Sequence, residues 1–232
     1  MPADRGWFIT IEGPEGAGKT TQAARLESYL RDAGLDVLRT REPGGTKLGE
    51  RIRTLLLDHA AGTSMQAPPI SALTDALLFS AARRQLVDEV IRPSLAARTT
   101  VICTRYADST LAYQGDGAGV PIADLRTLEA IATGGLRPDL TILLDVPAEI
   151  GLARKSPHDQ TRFELAFDLD FHRRVRDGFV ALASAEPNRF AVIDAAGSPD
   201  AVWDAVRFAV DSARGVPATV GEPERPVERI SR

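Results

Sequence analysis

Residues 13–20 read Gly-Pro-Glu-Gly-Ala-Gly-Lys-Thr, which fits the pattern GxxxxGK[ST]. They follow a short apolar run at residues 7–11 and lead into residues 20–33, where apolar side chains recur at helical spacing. A strand, a glycine-rich turn and a helix in this order form the P-loop, which cradles the phosphates of a nucleoside triphosphate. The alternative, a plain glycine-rich turn between strand and helix, would not require the lysine and the hydroxyl at these spacings.

The alternation of strand and helix continues along the chain. We expect helices at residues 48–57, 70–91, 109–113, 122–132, 147–154, 170–185 and from 198 onward, and strands at residues 37–40, 100–104, 140–144 and 189–193. The long helix should end at Pro93. This order predicts an α/β fold: a single domain over residues 1–214 with about five parallel strands and helices on both faces. Residues 215–232 lack periodicity, so we expect a flexible tail.

The amino-acid composition limits the kinds of partner that the chain can bind. The net charge of −4 gives no broad positive field for nucleic acid or an anionic membrane, so any polyanion must bind in a local pocket. The sequence contains no uninterrupted apolar run of the length that spans a bilayer. A single cysteine, Cys103, fits a reducing compartment. We therefore expect a cytoplasmic protein that binds neither nucleic acid nor membrane.

The P-loop assigns chemistry to particular side chains. Lys19 can reach the β- and γ-phosphates, and the Thr20 hydroxyl can hold Mg²⁺. Asp145 ends the apolar run of the fourth strand, where an acid that holds a Mg²⁺-bound water would lie. A solvated acid capping the next helix is the alternative for Asp145. The ATP-binding residues predicted here are Gly13, Pro14, Glu15, Gly16, Ala17, Gly18, Lys19, Thr20 and Thr21.

Three further segments follow strands or lie on helices near the same edge of the sheet. Residues 40–46 (TREPGGT) place an arginine, an acid and a rigid turn after the second strand. Phe79 and Arg83 lie four residues apart on one helical face, where they could stack on a base and bind its edge. Alone, Phe79 could equally be a core residue and Arg83 a solvated charge. Residues 105–115 contain hydroxyls, phenols and an amide in one short stretch, which favours a segment that lines a substrate pocket. The alternative is an ordinary helix start that Ser109 caps.

Together these segments resemble the bacterial thymidylate kinases, P-loop kinases that phosphorylate dTMP to dTDP with MgATP as a step towards dTTP. The resemblance covers about residues 7–210. Its marks are residues 11–21 (IEGPEGAGKTT), the TREPGG segment, residues 78–85, the AYQG segment and residues 138–146. Shared P-loop ancestry alone would not supply the TREPGG and AYQG segments.

The resemblance implies a role for each matching residue. Phe79 would stack on thymine, Arg83, Thr110 and Gln114 would bind its polar edge, and Tyr113 would lie against the 2′ position of the sugar. Glu15 and Glu42 would lie near the 3′-hydroxyl and the acceptor phosphate, which Arg105 would bind. The implied substrate-binding set is Glu42, Pro43, Arg53, Phe79, Arg83, Arg105, Thr110, Tyr113 and Gln114.

The resemblance also implies a lid, at about residues 154–164, that closes over ATP. Arg154 and Arg162 are the candidate catalytic residues of the lid, and Arg154 could instead be a solvated cation at a helix end. The other candidate catalytic residues are Lys19, Arg105 and Glu15. The implied metal is Mg²⁺ on Thr20, with Glu15 and Asp145 as further candidate ligands. The implied assembly is a homodimer, to which the apolar helix at residues 73–86 could contribute.

The chain departs from the family at two positions, with Thr104 and Thr161 where the family has aspartate. Thr104 removes a carboxylate that would help to position Mg²⁺, so Glu15, Asp145 or water would have to replace it. Two alternative functions stay open, of which the second follows from these departures. One is a kinase for another pyrimidine nucleoside monophosphate, and the other is a nucleotide-binding protein that has lost catalysis.

Overall fold

Five parallel strands form one sheet in the order β2-β3-β1-β4-β5. The computed structural model describes residues 4–57, 70–156 and 167–215. The strands are β1 (Phe8–Glu12), β2 (Val37–Arg41), β3 (Thr100–Thr104), β4 (Leu140–Asp145) and β5 (Phe190–Asp194). The predicted α/β class and strand number are confirmed.

Helices cover both faces of the sheet. They are α1 (Lys19–Asp32), α2 (Lys47–Leu57), α3 (Ala72–Leu86), α4 (Arg92–Ala96), α5 (Ala107–Thr110), α6 (Ile122–Thr133), α7 (Ala148–Ala153), α8 (Leu169–Ala185) and α9 (Pro199–Arg214). Helices α1 and α9 pack on the face that carries Ile9, Ile11 and Ile142. The opposite face of β1, with Phe8, packs against the end of α3. Burial of apolar side chains on both faces explains why the strands read as continuous hydrophobic runs.

The ends of several elements agree with the sequence signals. Ser198 caps α9 by accepting a hydrogen bond from the Ala201 amide, and Pro199 occupies the first turn. Asp168 caps α8 in the same manner, through the Phe171 amide at 2.8 Å.

One helix boundary was predicted wrongly. The helix expected over residues 70–91 begins at Ala72 and becomes a π-helical turn at Val87–Ile91, and it then continues as α4 through Pro93. Pro93 lies in the first turn of α4, where its missing N–H is not needed. The proline therefore follows a change of helical pitch rather than ending the helix.

The second π-helical segment, Leu111–Gly117, directly follows α5. Its wider turn is visible in the hydrogen bond that the Ala118 amide donates to the Tyr113 carbonyl at 3.0 Å. The sequence had predicted a simple helix near residues 109–113. The segment is buried almost throughout, and it holds Tyr113 and Gln114 at the carboxyl edge of the sheet.

Candidate active site

The loop between β1 and α1 has the conformation of a phosphate cradle. Gly13 and Gly16 have positive φ angles of 140° and 70°. A Cβ at Gly16 would lie 1.8 Å from the Gly151 carbonyl oxygen, and one at Gly13 would lie 2.4 Å from that of Leu144. Only glycine fits at these two positions. No side chain caps the start of α1, so its first amide groups face the loop as anion-binding donors.

Lys19 lies buried beneath this loop. Its ammonium donates to the carbonyls of Gly13 at 2.9 Å and Pro14 at 2.6 Å. Burial, assisted by the nearby charge of Arg105, lowers the pKa of Lys19 to about 7. An anionic phosphate in the loop would favour the charged form of Lys19, so phosphate binding and lysine protonation reinforce each other.

A cluster of charged and polar side chains lies beside the loop. Arg105 follows β3 with a φ of 65°, in the left-handed region. Its guanidinium donates to Glu15 Oε1 at 2.5 Å, to the Tyr113 hydroxyl at 3.0 Å and to Ser109 Oγ at 3.2 Å. The guanidinium also lies 4.8 Å from the centre of the Tyr113 ring. Arg105 thus joins the P-loop to the segment that follows β3.

Besides Arg105, the Glu15 carboxylate contacts a second cation and a phenol hydroxyl. Lys155 Nζ lies 3.3 Å from Glu15 Oε2, and the Tyr113 hydroxyl donates to Oε1 at 3.0 Å. Burial would raise the pKa of Glu15, but Arg105, Lys19 and Lys155 together hold it well below its usual value. Glu15 is therefore ionised at neutral pH, and it keeps two cations at the mouth of the P-loop.

Arg83 organises the other half of the site. It is fully buried and donates to Glu42 Oε2 at 2.8 Å, to the Tyr106 carbonyl at 3.0 Å and to Thr110 Oγ1 at 3.0 Å. These contacts tie α3 to the segments after β2 and β3. A buried guanidinium with fixed partners is a rigid polar surface, which suits recognition of a polar ligand edge.

A cavity of roughly 300 Å³ brings most of the predicted residues together. This is within the size range of small-molecule sites. The predicted residues that line it are Glu15, Gly16, Gly18, Lys19, Thr20, Thr21, Glu42, Pro43, Arg53, Phe79, Arg83, Arg105, Thr110, Tyr113 and Gln114. Gly13, Pro14 and Ala17 belong to the same loop without lining the cavity.

Two predicted residues lie elsewhere. Asp145 forms a bidentate ion pair with Arg176, at 2.6 and 2.8 Å, and does not line the cavity. Arg154 donates to the carbonyls of Ala195 at 2.7 Å and Ala196 at 2.6 Å, in the loop after β5. The structure therefore brings neither into contact with the P-loop cluster. Arg162 and Thr161 lie outside the described residues.

The structure adds residues that the sequence argument missed. Lys155, next to Arg154, is a second cation, besides Arg105, that reaches Glu15. Glu12, at the end of β1, is buried and accepts hydrogen bonds from the Tyr106 amide and from Ser109 Oγ, each at 2.6 Å. Burial, followed by the charge of Asp108, raises the pKa of Glu12 to about 7. The position of Glu12 directly before the P-loop was the available signal.

Thr104 lies at the carboxyl end of β3, opposite Ile11 of β1 in the sheet register. It is half-buried and lines the cavity. One of the two positions at which the chain departs from the resembled family therefore faces the site, with a hydroxyl in place of a carboxylate.

The donor set suits a magnesium ion that is held mainly by nucleotide phosphates. Within residues 4–57, 70–156 and 167–215, no cluster of three or more His, Cys, Asp or Glu side chains could hold a metal. The Thr20 hydroxyl is exposed at the start of α1 and lines the cavity. Because Mg²⁺ usually takes one or two protein ligands and completes its shell with water and phosphate oxygens, this donor set fits.

Among the described residues, no helix combines the length and the apolar character needed to cross a membrane.

The fold and the site together define a P-loop kinase with an acceptor pocket beyond the carboxyl ends of its strands.

Comparison with known proteins narrows this class. The family model for thymidylate kinase matches residues 11–206. A thymidylate kinase of Deinococcus radiodurans is 54 % identical over 207 residues, a match that covers 87 % of this chain and 97 % of that protein. One from Thermomicrobium roseum is 55 % identical over 201 residues, covering 86 % and 92 %. The crystal structure of an Ehrlichia chaffeensis thymidylate kinase superposes with a TM-score of 0.71 at 35 % identity, covering 89 % and 98 %. The chain belongs to the thymidylate kinase family.

Proposed function

We propose that this chain transfers the γ-phosphoryl group of ATP to the 5′-phosphate of dTMP and so produces dTDP. The observation that carries the proposal is the position of Arg105, which contacts the P-loop acid Glu15 and the acceptor-side residue Tyr113 within one cavity. Family membership supports dTMP as the acceptor and ATP as the donor.

On the donor side, the P-loop amides and the start of α1 bind the ATP phosphates. Lys19 lies beneath the loop and supplies the fixed positive charge at the β- and γ-phosphates. Thr20 is the residue that would hold Mg²⁺, with Glu15 as a further candidate through water. When bound, Mg²⁺ neutralises charge on the phosphate oxygens and orients them.

On the acceptor side, Phe79 is half-buried and lines the cavity together with Arg53 and Pro43, and its ring would stack on thymine. Arg83, Thr110 and Gln114 present donors and acceptors to the base edge. Stacking supplies affinity for any base, whereas buried polar groups reject a base that leaves them unpaired. This division of roles accounts for selection of thymine.

The chemical step needs positioning and charge more than proton removal. The acceptor phosphate is already anionic near neutral pH, so no strong general base is required. Arg105 neutralises charge between the acceptor and the transferring group, while Lys155 extends the positive surface from the side of α7. Closure of the lid at residues 154–164, with Arg162, would exclude water as a competing acceptor.

A coupled assay of ADP release tests the proposal with dTMP, dUMP, dCMP and UMP as acceptors. We expect dTMP to be used best, by at least tenfold over each of the others. Preference for another monophosphate would indicate a different pyrimidine kinase. Tight nucleotide binding without turnover on any acceptor would indicate a nucleotide-binding protein that has lost catalysis, the alternative that Thr104 raises.

The chain is also proposed to act as a homodimer. Helix α3 leaves Leu73 and Leu77 about half exposed, and Ile131 on the neighbouring α6 is 65 % exposed. A second copy would cover these side chains. Light scattering during gel filtration should give a dimer mass for the parent and a monomer for Leu77→Glu. Val192→Glu, which changes an exposed side chain on β5, is the matched control and should remain dimeric.

We place the reaction in the cytoplasm, where ATP is abundant and the buried thiol of Cys103 stays reduced. Recovery of the activity in a periplasmic or secreted fraction instead would contradict this location.

A further inference from the structure

Arg189 lies just before β5, at the far edge of the sheet from the acceptor segment after β2. Its guanidinium makes four hydrogen bonds: two to the Asp108 carboxylate at 2.7 and 2.8 Å, one to Thr141 Oγ1 at 2.8 Å and one to Glu186 Oε2 at 2.8 Å. The side chain is 11 % exposed, and that of Asp108 is 3 % exposed. Arg189 also lies flat against Phe190, 4.3 Å from the ring centre. Four hydrogen bonds and one ring contact thus fix the orientation of the guanidinium.

Asp108 is part of α5, a helix of only four residues. This helix runs directly into the buried π-helical segment Leu111–Gly117, so the orientation of its first turn depends on that segment and on what the side chains of α5 contact. The backbone enters α5 from Arg105, whose positive φ is uncommon for a residue other than glycine. The pair with Arg189 adds an ion-pair contact that holds this end of the helical stretch from a residue that does not line the cavity.

The two residues that follow Asp108 on α5 both touch the active site. Ser109 Oγ donates to Glu12 Oε2 and accepts from Arg105 Nη1, whereas Thr110 Oγ1 accepts from Arg83 Nη2. A shift of α5 would therefore move a partner of the phosphate-side arginine and a partner of the base-side arginine at once.

We propose that Arg189 is a positioning residue for the acceptor site, acting through Asp108 to fix α5 and hence Ser109 and Thr110. The inference rests on the proposed function, since it concerns the site that would bind dTMP. A bidentate arginine–carboxylate pair fixes both distance and rotation, which a single hydrogen bond cannot do. Removal of Arg189 takes away the only ion pair of Asp108 among the described residues and leaves α5 with the apolar packing of Ala107 and its contacts on the pocket side, so the acceptor site loosens while the P-loop keeps its own contacts.

A purely structural ion pair would behave differently. Loss of stability lowers the fraction of active molecules, which reduces the apparent kcat and leaves both KM values unchanged. Loss of α5 positioning raises the KM and the Kd for dTMP and leaves those for ATP unchanged. The split between the two substrates therefore separates the two roles.

The test compares Arg189→Met with Arg137→Met. Arg137 is the other partner of Glu186, is about half exposed and does not line the cavity, so it is the matched control. Steady-state kinetics would give the KM for each substrate, and titration calorimetry would give the Kd for dTMP. We expect Arg189→Met to raise the KM and Kd for dTMP at least tenfold with the KM for ATP within twofold of the parent. Arg137→Met should match the parent for both.

The double variant Asp108→Asn with Arg189→Met guards against misfolding, because it leaves no unpaired charge in the interior. We expect it to recover thermal stability relative to Arg189→Met while its KM for dTMP stays at least tenfold above the parent. Parental KM values for dTMP in a folded variant would overturn the inference and leave the proposed function intact. Failure of the parent itself to phosphorylate dTMP would instead overturn the proposed function.

Discussion

Arg105 Nη2 lies 2.5 Å from Glu15 Oε1, so an ion pair connects the carboxyl end of β3 to the P-loop. The same guanidinium donates to the Tyr113 hydroxyl and to Ser109 Oγ, and both side chains belong to the segment that follows β3. Donor and acceptor halves of the cavity therefore share one arginine. In the proposed function, the geometry of this arginine, more than its charge alone, would set the alignment of the two substrates.

Replacement of Arg105 by lysine separates geometry from charge. Lysine keeps the positive charge but cannot hold Glu15, Tyr113 and Ser109 at once, because its ammonium is a compact point donor. We expect kcat to fall on the order of 10- to 100-fold, which corresponds to about 1.4 to 2.7 kcal/mol of barrier. Steady-state kinetics at saturating ATP and dTMP measure this, and a variant within twofold of the parent would show that charge alone suffices.

Tyr113 combines a steric and a polar role that two variants distinguish. Its ring packs against Phe171 and Phe179, with centroids 6.2 and 6.1 Å away. Tyr113→Phe keeps the ring and loses the hydrogen bonds to Arg105 and Glu15, so we expect kcat to fall about tenfold with unchanged sugar preference. Tyr113→Ala should raise the use of 5-methyluridine monophosphate relative to dTMP. An unchanged ratio in Tyr113→Ala would contradict the steric account.

Thr104 offers a test of the metal requirement. Because a hydroxyl carries no charge to offset that of Mg²⁺, Thr104→Asp should lower the Mg²⁺ concentration for half-maximal activity several-fold. Thr104→Asn, similar in size and neutral, is the control and should keep the parental midpoint. An unchanged midpoint in Thr104→Asp, measured by Mg²⁺ titration at fixed ATP, would mean that position 104 does not act on the metal.

Much of the fold could be predicted because its signals are local. The P-loop, the apolar strands and the Ser198 cap each depend on residues within about ten positions of one another, and the structure contains all three. The two π-helical turns were not predicted, because a wider turn has no distinct apolar period. Continuation of the helix through Pro93 follows from the first of these turns, at Val87–Ile91.

Site residues that belong to a sequence motif could be predicted. Residues whose role depends on a contact partner distant in sequence were harder to predict. The sequence around Asp145 indicates a metal ligand, but in the structure its carboxylate pairs with Arg176, which lies 31 residues later in the chain. Arg154 and Lys155 are equivalent in a sequence, but only the second reaches Glu15. The Arg189–Asp108 pair spans 81 residues and has no motif, so packing alone reveals it.

Glu12 predicts a pH dependence of stability. Its pKa is raised from 4.5 to about 7, so the folded chain keeps a proton that the unfolded chain releases between these values. The free energy of unfolding should therefore fall as the pH rises from about 4.5 to 7, by up to about 1.4 kcal/mol per pH unit from this group.

Glu12→Gln removes that titration while keeping one acceptor oxygen for the Tyr106 amide and placing an amide NH2 that can donate to the Ser109 hydroxyl. Its stability relative to the parent should rise with pH across this window, as measured by urea unfolding at pH 5, 6 and 7 on both proteins. Glu89→Gln, at an exposed site, is the control and should parallel the parent. A constant difference between Glu12→Gln and the parent would refute the prediction.

Transfer of a label from ATP to dTMP tests the central claim most directly. With ATP radiolabelled at the γ-phosphate, the parent should place the label in dTDP, and only when dTMP is present. Lys19→Met removes the cation beneath the P-loop and should slow this transfer at least a hundredfold, about 3 kcal/mol in barrier. Label released as inorganic phosphate regardless of dTMP, or a Lys19→Met variant within threefold of the parent, would contradict the account.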